Sequence, residues 1–232
     1  MNIQYTLRFD DDSERVFDLQ VDDLTLQLNT PQDAEYPQWT ALEYHRCPNC
    51  PLDVNAHPRC PAACAITDIV NRSDDLFSYV QVKAEVRTPE RRFTADTVLQ
   101  RAVSSLLGLA LATSGCPNTA FFKPMARFHL PFASEEETIY RAASMYLLAQ
   151  YFRRKEGGEA DMDLSGLAQI YKDLQVVNNH MAKRLRAASD KDATVNAVVI
   201  LDLFAKALPY TIEESLQEIR HLFAVYLDRV PD

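Results

Sequence analysis

Four of the five cysteines in this 232-residue chain fall between residues 47 and 64, as Cys47-Pro48-Asn49-Cys50 followed by Cys60-Pro61-Ala62-Ala63-Cys64. A Cys-x2-Cys turn presents two thiolates to one ion. A second cysteine group about ten residues later can close a tetrahedron around zinc or hold an iron-sulfur cluster. Such a site forces its loops to converge, so it limits the fold more than any other stretch does. Pro48 and Asn49 suit the tight turn, because proline presets φ and asparagine tolerates left-handed backbone. Pro61 suits the first position of a helix, which puts Cys60 at a helix N-terminus where a thiolate is favoured.

The fourth ligand is less evident. Cys64 follows Cys60 by one helical turn and can reach the same ion. Cys47, Cys50, Cys60 and Cys116 are each followed by proline, however, in a chain with 12 prolines, and Cys64 is not. That pattern puts Cys116 ahead of Cys64, which then serves as a small apolar helix residue. His57 is a weaker candidate. Disulfides fit poorly with an odd cysteine count and no secretory signal; unligated buried thiols are the plain alternative.

Met1-Asn2-Ile3-Gln4-Tyr5 lacks the basic and apolar regions of a signal peptide, and the uncharged stretch from Ala102 to Cys116 is too short to span a bilayer. The expectation is a cytoplasmic protein with no membrane partner, in which thiols stay reduced. A formal net charge of -9 argues against a nucleic-acid partner bound by phosphate neutralisation. All five glycines follow residue 107, and none builds a Walker, Rossmann or G-x-S-x-G motif.

Alternating apolar residues predict an antiparallel meander over residues 2 to 29, another short strand at Trp39 to Tyr44, and a strand at Tyr79 to Val86. A short helix should span Cys60 to Asn71. A longer one should start at Asp96 as N-cap and end at Ser114-Gly115. The prolines of Phe121 to Phe132 predict an extended segment, with Lys123, Arg127 and His129 on one edge able to bind an anionic group. The remainder reads as helices: one capped by Ser134 with Glu137, then Leu164 to Ala188, a buried Ala193 to Leu208, and a last one capped by Thr211 with Glu214. In that last helix Leu216, Ile219, Phe223 and Tyr226 should face inward. Asn178 at a heptad position permits a homodimer seam as well as an internal one.

The segments CPNCPL, SGCPNTAFFKPMARFHLPF and YRAASMYLLAQYF resemble signatures of an uncharacterised bacterial family of unknown function. The resemblance covers most of the chain and implies no catalytic role; it ties the cysteine and KPMARFHLPF segments together.

The resulting expectation is an α+β protein. An N-terminal antiparallel β-sheet with a cysteine-rich metal site (1–94) precedes a C-terminal helical bundle (95–232), packed against it as one unit. The first functional reading is a structural-zinc binding or adaptor protein with an unknown protein or small-molecule partner. The alternative is an iron-sulfur redox or sensor protein. A metal-free enzyme using Cys116, His129 and Arg127 comes last.

Overall fold

The structure, a computed structural model, describes residues 1–30, 35–73, 75–187, 194–199, 201–202 and 216–227. Period-two patterning builds its sheet. In β1 (Asn2–Arg8) Ile3, Tyr5 and Leu7 are buried, and in β2 (Glu14–Gln20) Phe17 and Leu19 are. The acidic turn between them closes on itself: the Phe9 N–H donates to the Ser13 carbonyl, and Asp12 takes a left-handed φ of 63°. A second hairpin pairs β3 (Gln81–Arg87) with β4 (Arg92–Val98). All pairings are antiparallel, and the strand order is β2-β1-β3-β4.

One face of the sheet carries Ile3, Tyr5, Leu7, Val82, Ala84 and Val86. It shares a continuous core with α1 (Pro61–Ser73) and α2 (Leu99–Thr113). Burying each large aliphatic side chain there stabilises the fold by about 1.5–3 kcal/mol. On the other face Arg87, Arg92 and Arg8 approach Glu85 at 2.5, 3.8 and 4.0 Å. Burial pushes the Glu85 carboxyl up and the arginines outweigh it, so its pKa lies below the usual range. The arginine cluster is therefore occupied by a carboxylate of its own sheet.

Helix α2 begins at Leu99 rather than near Asp96, because Asp96 pairs with Lys83 inside β4. No side chain caps it. The Leu99 and Gln100 N–H groups donate instead to the Val80 and Ser78 carbonyls, at 2.8 and 3.0 Å. Its other end is as expected, with Gly115 at φ +86°.

Two expected strands are absent from the described residues. The Asp22 carboxylate accepts from the Leu24 and Thr25 N–H groups, which makes a turn and leaves only an isolated Val21–Leu28 bridge. Gln38–Thr40 is a 3-10 turn, followed by an isolated Ala41–Arg59 bridge.

The segment expected to be extended is helical: a 3-10 turn over Ala120–Phe122 runs into α3 (Lys123–Arg127). Pro124 lies in the first turn, where its missing N–H has no helical partner to lose. Helix α4 (Glu135–Lys155) carries the expected capping box, with the Ser134 N–H donating to Glu137 at 2.7 Å and the Glu137 N–H to Ser134 Oγ at 3.1 Å.

A linker containing Gly157 leads to α5 (Ser165–Arg186). Of the buried helix expected over Ala193 to Leu208, residues 194–199 and 201–202 are helical, with Val195, Ala197 and Val198 buried, and the rest lies outside the described residues. The Thr211–Glu214 box lies outside the described residues. In the last segment Ile219 is buried, but Phe223 and Tyr226 are 38% and 75% exposed. A 3-10 turn over Arg220–Phe223 changes the repeat from 3.6 to 3 and rotates them off the buried face.

The architecture is mixed α/β with an N-terminal four-stranded antiparallel sheet. Among the described residues no helix is long and apolar enough to cross a membrane.

Candidate functional site

Three separate stretches bring cysteines to one place. The Cys50 N–H donates to the Cys47 carbonyl at 3.0 Å and closes the knuckle. The Asn49 amide donates to the Asp173 carbonyl at 3.2 Å, which pins the knuckle to α5. Cys60 precedes α1, and its N–H donates to the Thr40 carbonyl at 2.8 Å. Cys116 follows the left-handed Gly115 after α2, with its N–H donating to Ser114 Oγ at 3.2 Å. Asn118 then donates to the Asn49 carbonyl at 3.1 Å, linking the third stretch to the first.

Cys47, Cys50, Cys60 and Cys116 line one cavity of about 20 Å³, together with Met181 and Arg184 of α5. Cys64 is not part of that lining, and His57 is exposed. Burial pushes the Cys47 thiol up to about 12, and Cys60, Cys116 and Cys50 push the same way. Burial also raises the Cys116 and Cys64 thiols. Among the described residues no group of three or more His, Cys, Asp or Glu is disposed to hold a metal ion. The placement of these side chains thus does not support the expected metal centre.

Arg184 is 1% exposed at this cavity. Its guanidinium donates to the Trp39 and Ala41 carbonyls at 2.7 Å each and to the Leu42 carbonyl at 3.0 Å. Among the described residues no carboxylate lies within 4.0 Å of it. Half-buried Arg46 donates to the Leu52 carbonyl at 2.6 Å and to the Cys50 carbonyl at 3.4 Å.

Lys123, Arg127 and His129 each have a different protein partner. Lys123 donates to the Thr25 carbonyl at 2.6 Å, and Arg127 lies 3.8 Å from Glu90. His129 Nε2 shares a 2.5 Å hydrogen bond with the Tyr5 hydroxyl. Burial, and secondarily Arg141, holds the His129 imidazole down to about 3, so it is neutral at ordinary pH.

Of these three, only His129 lines a second and much larger chamber of about 570 Å³. Its apolar wall includes Leu109, Phe122 and Leu174, and its polar groups include Arg141, Tyr171 and Asn178. Asn178 is 1% exposed inside this single chain, and among the described residues neither its amide oxygen nor its nitrogen has a hydrogen-bond partner. Sequence reasoning marked the Asn178 position but missed the chamber. The available signal was an amide within the apolar stripe of α5.

A family model for a domain of unknown function, DUF6901, matches residues 3–224. No curated protein and no solved structure matches the chain.

Proposed function

We propose, for a chain that belongs to the DUF6901 family of domains of unknown function, a zinc-stabilised binding protein in which Cys47, Cys50, Cys60 and Cys116 ligate one ion. The observation that carries this reading is that these four cysteines, from three separate stretches, border a single cavity of about 20 Å³. That is roughly the volume of one water-sized sphere, room for a lone ion once the four sulfurs close to about 2.3 Å around it. A four-iron cluster needs several times that space, so zinc ranks ahead of iron and sulfur.

Charge supports the same reading. A zinc ion with four thiolates carries two net negative charges, and buried Arg184 stands beside it with no carboxylate partner among the described residues. Among four neutral thiols that guanidinium would be an uncompensated buried charge, relieved only by backbone carbonyls. Arg46, bound to the Cys50 carbonyl, supplies a second cation at the rim.

Bound zinc would cross-link the knuckle, the start of α1 and the end of α2, so metal affinity would appear as folding stability. A cysteine-dependent enzyme is disfavoured, because Cys116 lines the small cavity while His129 lines the chamber. The chamber supports the binding role.

The test is elemental analysis with an absorption spectrum of anaerobically purified protein. The expected result is one zinc per chain and no colour. A brown sample absorbing near roughly 400 nm replaces zinc with a cluster, and metal-free folded protein overturns the site. Cys47→Ser should lower metal content and melting temperature together, whereas Cys64→Ser should leave metal content unchanged.

A further inference from the structure

We propose that the 570 Å³ chamber is the binding site for a small amphipathic monocarboxylate, with its carboxylate at Arg141 and a hydrogen-bonding group at Asn178, at opposite ends of an apolar body. The volume falls within the range of small-molecule pockets.

The first support is Asn178. Buried polar groups are almost always paired. Asn178 belongs to the chamber lining, and its amide donor and acceptor are both shut off from solvent and unmet among the described residues. A ligand hydroxyl or amide that the side chain turns to meet satisfies both; hydrocarbon satisfies neither.

The second is Arg141. One of its nitrogens donates to the Met125 and Phe128 carbonyls at 2.8 and 2.9 Å, which fixes the guanidinium in place. Among the described residues no carboxylate lies within 4.0 Å of it. Its remaining N–H groups match a carboxylate, the acceptor that a fixed guanidinium binds most strongly. Arg141 is close enough to influence the Tyr171 hydroxyl, a second donor on the same wall.

Spacing and charge narrow the ligand. Tyr171 and Asn178 are seven residues apart on α5, a rise of about 10 Å. With His129 neutral, the charged lining residues are Arg101, Arg141 and Glu135, and Glu137 acts on Arg141 from outside the lining. One carboxylate, set on Arg141, therefore suits the chamber better than two.

The test is calorimetric titration of the full chain with 10-hydroxydecanoate, decanoate and 1,10-decanediol, each below its aggregation concentration. The expected result is one 10-hydroxydecanoate per chain, bound about tenfold or more tighter than the diol, consistent with a lost charge-assisted hydrogen bond. Arg141→Met should erase the gap between carboxylate and diol. Asn178→Leu should erase the preference for hydroxydecanoate over decanoate. No saturable carboxylate binding, or equal binding of carboxylate and diol by the unsubstituted protein, overturns the assignment whether or not the variants fold. The inference rests on the binding role and not on the metal, and metal content measured on the same samples keeps the two failures distinguishable.

Discussion

Replacing Arg184 with methionine tests the buried guanidinium that ties α5 to the Trp39–Leu42 segment. The guanidinium makes three hydrogen bonds to carbonyls of the Trp39–Leu42 segment. Hydrogen bonds to a charged group contribute about 1.5–3 kcal/mol each, so a simple sum overshoots. Methionine keeps much of the packing of the arginine stem and removes the cost of burying a charge, which offsets part of the loss. The expected net loss for Arg184→Met is about 3–5 kcal/mol, a large part of the roughly 5–15 kcal/mol that holds most domains folded. For a domain of this size the melting temperature should fall by about 6–20 °C. Urea titration followed by circular dichroism measures it, with an unchanged slope showing that the unfolded state is the same. Arg184→Lys should fall between, since one ammonium cannot span three carbonyls. A loss below about 1 kcal/mol in the methionine variant would refute the account of Arg184 as the clasp on this segment.

Asn178→Leu should raise stability by about 1–3 kcal/mol in the ligand-free protein, because it removes an amide buried without partners; thermal melting checks this. His129 gives an acid-sensitive fold. Its folded pKa of about 3 lies below the unfolded value of 6.5, so the unfolded state takes up a proton first. Its contribution is complete above pH 6.5 and drains away as pH falls toward 3, by about 3 kcal/mol at pH 4. His129→Gln should flatten that slope in urea titrations across the interval. Gly166→Ala should lower the melting temperature, because the new Cβ would fall on the Tyr146 hydroxyl. That hydroxyl donates to Asp161 at 2.8 Å, and Asp161 also accepts from the Gly166 N–H at 2.7 Å.

What could be read from the chain follows from how local its causes are. Ile3, Tyr5 and Leu7 alternate within one strand, and Ser134 bonds Glu137 within one turn, so both elements were visible. The start of α2 was not, because its capping carbonyls belong to Ser78 and Val80, some twenty residues earlier. Asp96 looked like a cap and is instead held in the sheet opposite Lys83. Two prolines hid α3, since one of them occupies the single turn that tolerates it. The repeated Cys-Pro pairs pointed to Cys47, Cys50, Cys60 and Cys116, and these four border one cavity. The chamber had no linear signature, as its wall is made where faces of α2, α3, α4 and α5 meet, helices spread along the chain.

The junction between β4 and α2 has a mechanical result. No loop separates them, and the helix hangs by its first amides from the chain that enters β3. The sheet cannot tilt without carrying α2 along, and Ser104, Leu109 and Ala112 of that helix form part of the chamber wall. Strand and chamber therefore move as one lever, and Val98 at the end of β4 lines the space, so amide exchange in β3 and β4 should report whatever fills it.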